Sequence, residues 1–186
     1  MSRNSIDLDR YGDDTDSDAI DWSAVETGPV IVHPMRLKYP ELPGNNFGDD
    51  VWSLRQMDVT RGTVQNLHWT KSYRKGLVLP ELLITPFKRV VWLLINRPTP
   101  AAYLAGTNGR RWPAASSVYQ RFAAFRRFGH FLGQHAIVDI RDVDLDLLDV
   151  YATTVLNNAS RTSHAGKAQE LGYVAAIAHL ADLLPA

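Results

Sequence analysis

Residues 116–133 constrain this chain more than any other stretch. Stepping about 100° per residue along an α-helix, Val118, Phe122, Phe125, Gly129 and Leu132 gather on one side, with Phe128 at one edge and Tyr119 at the other. Gln120, Arg127 and His130 fall opposite, and Arg121 and Arg126 flank the stripe. An aromatic seam at this spacing needs a core to cover it. A helix from about Ser116 or Ser117 to about Gly133 therefore sits at the centre of a helical fold. Gly133 is placed for the left-handed residue that ends a helix.

The flanking segments extend that reading. Phe87, Val90, Val91 and Leu94 recur at helical spacing. Thr85 can cap this helix, Pro86 suits its first position, and Pro98 and Pro100 end it. Downstream, Ile137–Asp142 reads as a short extended link. Asp142 and Asp144 read as helix caps, and a third helix runs from Asp144 to about Asn157, with Leu148, Tyr151 and Val155 inward. A fourth runs from about Ser163 to Leu183, with Tyr173, Ile177, Leu180 and Leu184 inward. Upstream, Trp52 and Leu54, then Leu67 and Trp69, alternate with polar neighbours around Thr60-Arg61-Gly62-Thr63, the pattern of a short β-hairpin. The expected fold is mainly α: a four-helix bundle preceded by a short β-hairpin and a disordered acidic N-terminal tail. Residues 1–49 read as that tail and a Pro/Gly linker, 50–111 as a basic hairpin-plus-helix extension, and 112–186 as the helical domain.

Charge is partitioned along the chain, although the total is zero. Residues 1–50 carry 4 Lys/Arg against 11 Asp/Glu, residues 51–127 carry 13 against 2, and residues 128–186 carry 3 against 7. A 77-residue stretch whose carboxylates are only Asp58 and Glu81 points to a polyanion. Without one, the acidic tail could lie on the basic region. The absence of Cys excludes disulfides, thiolate metal sites and a Cys nucleophile. No apolar run is long enough to span a membrane, and the polar, acidic first thirty residues do not read as a signal peptide. His130 and His135 lack a shared face, and Asp142, Asp144, Asp146 and Asp149 lack the Gly and Glu of a calcium loop. No catalytic residue, cofactor or metal ligand is expected.

The segment Val118-Tyr119-Gln120-Arg121-Phe122-Ala123-Ala124-Phe125-Arg126-Arg127-Phe128-Gly129-His130-Phe131-Leu132 resembles the first long helix of the core-binding domain of tyrosine recombinases of the phage-integrase type. The link and Asp144–Tyr151 look similar to the family's second helix and its approach, and 160–184 to the helix that closes the bundle. The resemblance covers roughly residues 85–185. It implies double-stranded DNA binding by the non-catalytic N-terminal part of a site-specific recombinase. Arg121, Arg127, Arg161 and Lys167 would lie against the half-site. The residues themselves add Arg110 and Arg111 ahead of the long helix, Ser116 in its first turn, and Ser163 at the start of the fourth helix as phosphate donors.

The family's catalytic Arg, His-x-x-Arg and Tyr do not appear downstream in this sequence. Its one His-x-x-Arg, His33-Pro34-Met35-Arg36, lies upstream in the Pro-rich stretch and reads as coincidence. The chain is therefore not expected to be an enzyme on its own. Its partners would be duplex DNA and a separate recombinase catalytic domain or other recombinase protomers, in a bacterial cytoplasm and at the nucleoid when DNA-bound. The rival expectation is a helical protein-interaction or regulatory module that does not bind DNA.

Overall fold

The computed structural model describes residues 20–59, 65–71, 77–99, 112–158, 163–181 and 184–185 of the chain. The expected acidic tail before residue 20, the hairpin turn at 60–63 and the connection through Gly106, Asn108 and Gly109 lie outside the described residues.

The fold is mainly α with one small hairpin. In chain order the elements are α1 (Trp22–Thr27), β1 (Val51–Ser53), β2 (Asn66–His68), α2 (Glu81–Asn96), α3 (Ala115–Gln134), a 3-10 turn (Ile140–Asp142), α4 (Leu145–Asn157) and α5 (His164–Ala181). β1 and β2 are antiparallel, with Val51 opposite His68, Trp52 opposite Leu67 and Ser53 opposite Asn66. Helix α3 packs against α2 and α5, while α5 also meets α4 and α2.

The aromatic seam of α3 joins the hairpin to the helices. Trp69 stands edge-on to Phe122 at 4.8 Å between ring centroids and to Trp52 at 4.9 Å. Both Trp rings are fully buried, as a hairpin core requires. On the other side of α3, Phe128 and Phe131 meet Tyr151 of α4 at 4.9 and 5.0 Å. One hydrophobic core runs from Val30 to Leu180 and includes residues of all three sequence segments.

Several local expectations are corrected. Helix α2 begins at Glu81, not at Thr85, and Pro86 lies inside it. The apolar stripe extends back to fully buried Leu83. An interior proline costs about 3 kcal/mol; burying Leu83, worth roughly 2 kcal/mol, together with the partial burial of Ile84 against the core, offsets most of that cost. Helix α3 has no side-chain cap: its N-cap is Ala114, and Ser116 stands inside the first turn. Gly133 remains helical, and the left-handed residue is Ala136, at φ 57°. The glycines of α3 serve packing instead. A Cβ on Gly129 would lie 2.2 Å from Leu79 Cδ1, and one on Gly133 would lie 2.5 Å from Pro80 Cγ. These two positions let the chain entering α2 cross α3 closely.

Asp144 does cap α4, accepting from Leu147 N–H at 2.8 Å. Asp142 lies inside the 3-10 turn and caps no helix among the described residues; Asp139 caps that turn by accepting from Arg141 N–H at 2.9 Å. The link is thus partly helical.

Nor are residues 20–48 a tail and a free linker. Asp21 caps α1, whose Trp22 meets Trp92 edge-on at 5.9 Å. Val30, Ile31 and Phe47 are buried in the core. These apolar residues are diluted among Pro, Gly and acidic neighbours, so composition hides them.

Candidate nucleic-acid interface

Most of the described cations that the sequence offered for DNA face the protein. Arg127 holds Glu170 of α5 by two hydrogen bonds of 3.0 Å from Nε and an ion pair of 2.9 Å from Nη2. Glu170 is only 3% exposed and also accepts from the Tyr151 hydroxyl at 2.6 Å. Arg127 therefore lies at an α3–α4–α5 junction, not on a free solvent face. The wheel places it opposite the seam, but α5 packs there and brings its own carboxylate.

Arg126 is buried and donates to the Lys71 and Leu77 carbonyls. Lys88 is likewise buried. It donates to the Phe47 and Asp49 carbonyls at 2.8 and 2.9 Å, inside a ring of Phe47, Trp52 and Trp69 whose centroids lie 5.6–5.7 Å from Nζ. Arg89 pairs with Glu26 at 2.5 Å and lies over Trp22.

The remaining candidates are dispersed. Arg121 is half-buried over the Tyr173 ring at 5.6 Å, with its Nε and Nη1 unpartnered among the described residues. Lys167 donates to the Leu156 carbonyl at 2.5 Å. Ser116 is exposed at the start of α3, and Ser163 is exposed and accepts from Gly166 N–H at 3.1 Å. Arg110, Arg111 and Arg161 lie outside the described residues.

A different cluster stands at the N-terminal end of α3. Asn96, buried in the last turn of α2, builds it. Its amide donates to the Val30 carbonyl at 2.8 Å, and its oxygen accepts from Val32 and His33 N–H at 2.9 and 3.2 Å. That clamp sets His33 beside Arg97. A turn closed by Arg36 N–H to the His33 carbonyl then sends the Arg36 side chain inward. Its Nη2 donates to the Pro113 carbonyl at 2.6 Å, one residue before the N-cap of α3. Trp112 lies between the two, 4.5 Å from the His33 ring and 5.7 Å from the Arg36 guanidinium. The Lys38 and Tyr39 N–H groups both donate to the Gln56 carbonyl, which brings the backbone of exposed Lys38 against the turn that carries exposed Arg55.

The electrostatics of this corner are unusual. Arg36 is 7% exposed, and among the described residues its Nε has no partner and no carboxylate pairs with it. Burial pushes its guanidinium down to about 10. His33 titrates below its ordinary value, through burial first and then through the charges of Arg36 and Arg97. Its Nδ1 accepts from Met35 N–H at 3.3 Å, which suits the neutral ring. A buried cation with no counter-charge among the described residues, close to the positive end of a 20-residue helix whose first turn has no acid, favours an incoming anion. Such a corner can bind phosphate; it holds no nucleophile–base pair and no metal-ligand group among the described residues.

Sequence reasoning set His33 and Arg36 aside as a chance His-x-x-Arg in a Pro-rich stretch, and missed Lys38 within the segment with the large acidic excess. The signal was present in Val30-Ile31, an apolar pair that is buried in the core and carries the next residues with it, while Val32 stays exposed. Comparison with protein-family models, curated proteins and solved structures returns no match for this chain. Among the described residues, no helix is long and apolar enough to cross a membrane.

Proposed function

We propose that this chain binds double-stranded DNA through its phosphates, as the non-catalytic N-terminal part of a site-specific tyrosine recombinase. The observation that carries the reading is Arg36, a buried guanidinium with no carboxylate partner among the described residues, grouped with His33 and Arg97 at the start of α3. The sequence supports it twice more. Arg110 and Arg111 directly precede Trp112, and residues 51–127 hold only two carboxylates.

The proposed grip differs from the one expected from the sequence. Arg127 and Arg126 shape the protein. Arg36 and Arg97 supply positive potential, while Lys38, Arg55, Arg110 and Arg111 reach for phosphate oxygens, and Arg121 is a further candidate. Phosphate contacts fix register on a duplex but do not read its sequence, so this surface orients the protein, and strand cleavage falls to a separate catalytic domain. The work would be done at the nucleoid of a bacterial cytoplasm.

The test is titration of a labelled duplex with the wild-type chain and with Lys38→Glu/Arg55→Glu, monitored by fluorescence anisotropy. Both side chains are exposed, so the fold should survive. Reversing two phosphate contacts should weaken binding by about 100-fold at low salt. Equal affinity of the two proteins would overturn this assignment of the surface.

A further inference from the structure

The apolar surface of α4 is wider than the fold covers. Tyr151 and Val155 are buried on one side. About a quarter-turn away, Leu145, Ala152 and Leu156 form a second line along the helix, in which Leu145 is 79% and Leu156 51% exposed. Exposed Asp142, Asp144, Asp146 and Asp149 surround the N-terminal half of that line. Arg141, the nearby cation, is held by Asp139 at 2.6 Å. Lys167 lies at the far end, on the Leu156 carbonyl.

We infer that this face docks an amphipathic, lysine- or arginine-flanked helix of another protein. The apolar line offers the i, i+7, i+11 anchors of helix-on-helix recognition, and the carboxylates select a cationic partner and exclude an acidic one. Two other occupants fit less well. A second copy packed two-fold on α4 would bring the Asp149 carboxylates of both copies toward each other. Residues 1–19 of the chain itself contain Arg3 and Arg10 against six aspartates, the same sign as the face. The inference is independent of DNA binding, since it uses the acidic side of the molecule.

The probe is a synthetic helical peptide of about 18 residues with Leu along one face and Lys on both flanks, and a twin with Glu in place of Lys. Both are titrated into the full chain by fluorescence anisotropy. The Lys peptide should bind at least about ten-fold more tightly than the Glu twin. Leu145→Ser/Leu156→Ser and, separately, Asp146→Lys/Asp149→Lys should each lose about ten-fold in affinity. All four positions are exposed, and unchanged circular dichroism checks that the variants fold. Equal binding of the two peptides, no binding of the Lys peptide, or full retention by either variant would overturn the inference. Retention by both variants would indicate binding to the acidic N-terminal residues instead.

Discussion

Arg127 on α3 and Glu170 on α5 are joined by a two-armed ion pair, and the Tyr151 hydroxyl of α4 donates to the same carboxylate. Three helices thus meet on one buried charge. Removing the guanidinium leaves Glu170 buried without its counter-ion. We expect Arg127→Ala to lower stability by about 3 kcal/mol, the low end of the range for broken buried pairs, because Arg127 keeps partial contact with water. Tyr151→Phe should cost about 1–2 kcal/mol. Urea unfolding checks both. Equal stability of Arg127→Ala and wild type would contradict this role. A loss of DNA binding in Arg127→Glu would report on the fold, because the new carboxylate would face Glu170.

The crossing of α2 over α3 depends on Gly129. Its missing Cβ leaves room for Leu79 and Phe87, both in the core. Gly129→Ala should destabilise by about 2 kcal/mol despite alanine's better helix propensity. A stabilised variant on thermal unfolding would show that Leu79 moves aside freely.

Lys88 and Arg89 are adjacent in sequence but differ in worth. Lys88→Met removes the donor to two backbone carbonyls inside the aromatic ring, and should cost about 2–3 kcal/mol. Arg89→Ala breaks a partly exposed pair with Glu26 and should cost under about 1 kcal/mol. Denaturant midpoints of the two variants rank them; similar midpoints would contradict the contrast.

His33 gives the candidate interface a pH signature. Its folded-state value is depressed by burial, Arg36 and Arg97, so the unfolded chain takes up a proton first. The folded state is therefore fully favoured with respect to this group above about pH 6.5 and loses stability as pH falls through that value. A DNA phosphate in the cluster offsets the two guanidinium charges. The His33 value should then rise on DNA binding, and affinity should increase from about pH 7.5 to about pH 5.5. His33→Gln should remove that increment. A His33 imidazole resonance that titrates identically with and without duplex DNA would argue against phosphate binding here.

Periodicity made the helical scaffold legible. Val118, Phe122 and Leu132 are buried as their spacing requires, and alternation around Trp52 and Leu67 located the paired strands. Cap chemistry worked where a side chain does the capping, as at Asp144, and failed where backbone and packing decide, as at Thr85 and Gly133. The candidate site was much less legible. Helical-wheel position separates a core face from its opposite but cannot say which neighbour covers the opposite face. Glu170 is 43 residues from Arg127, so nothing local announced their pairing. Asn96 organises the cluster by gripping backbone 63–66 residues away, a contact that no sequence period encodes.

The salt dependence of duplex binding tests the central claim most directly. Anisotropy titrations of the full chain with duplex DNA from about 50 to 200 mM salt should give a straight log–log plot of affinity against salt, with a slope near −5 if about six phosphates are neutralised. Absence of binding at the lowest salt, or a slope near zero, would contradict phosphate-driven DNA binding by this chain.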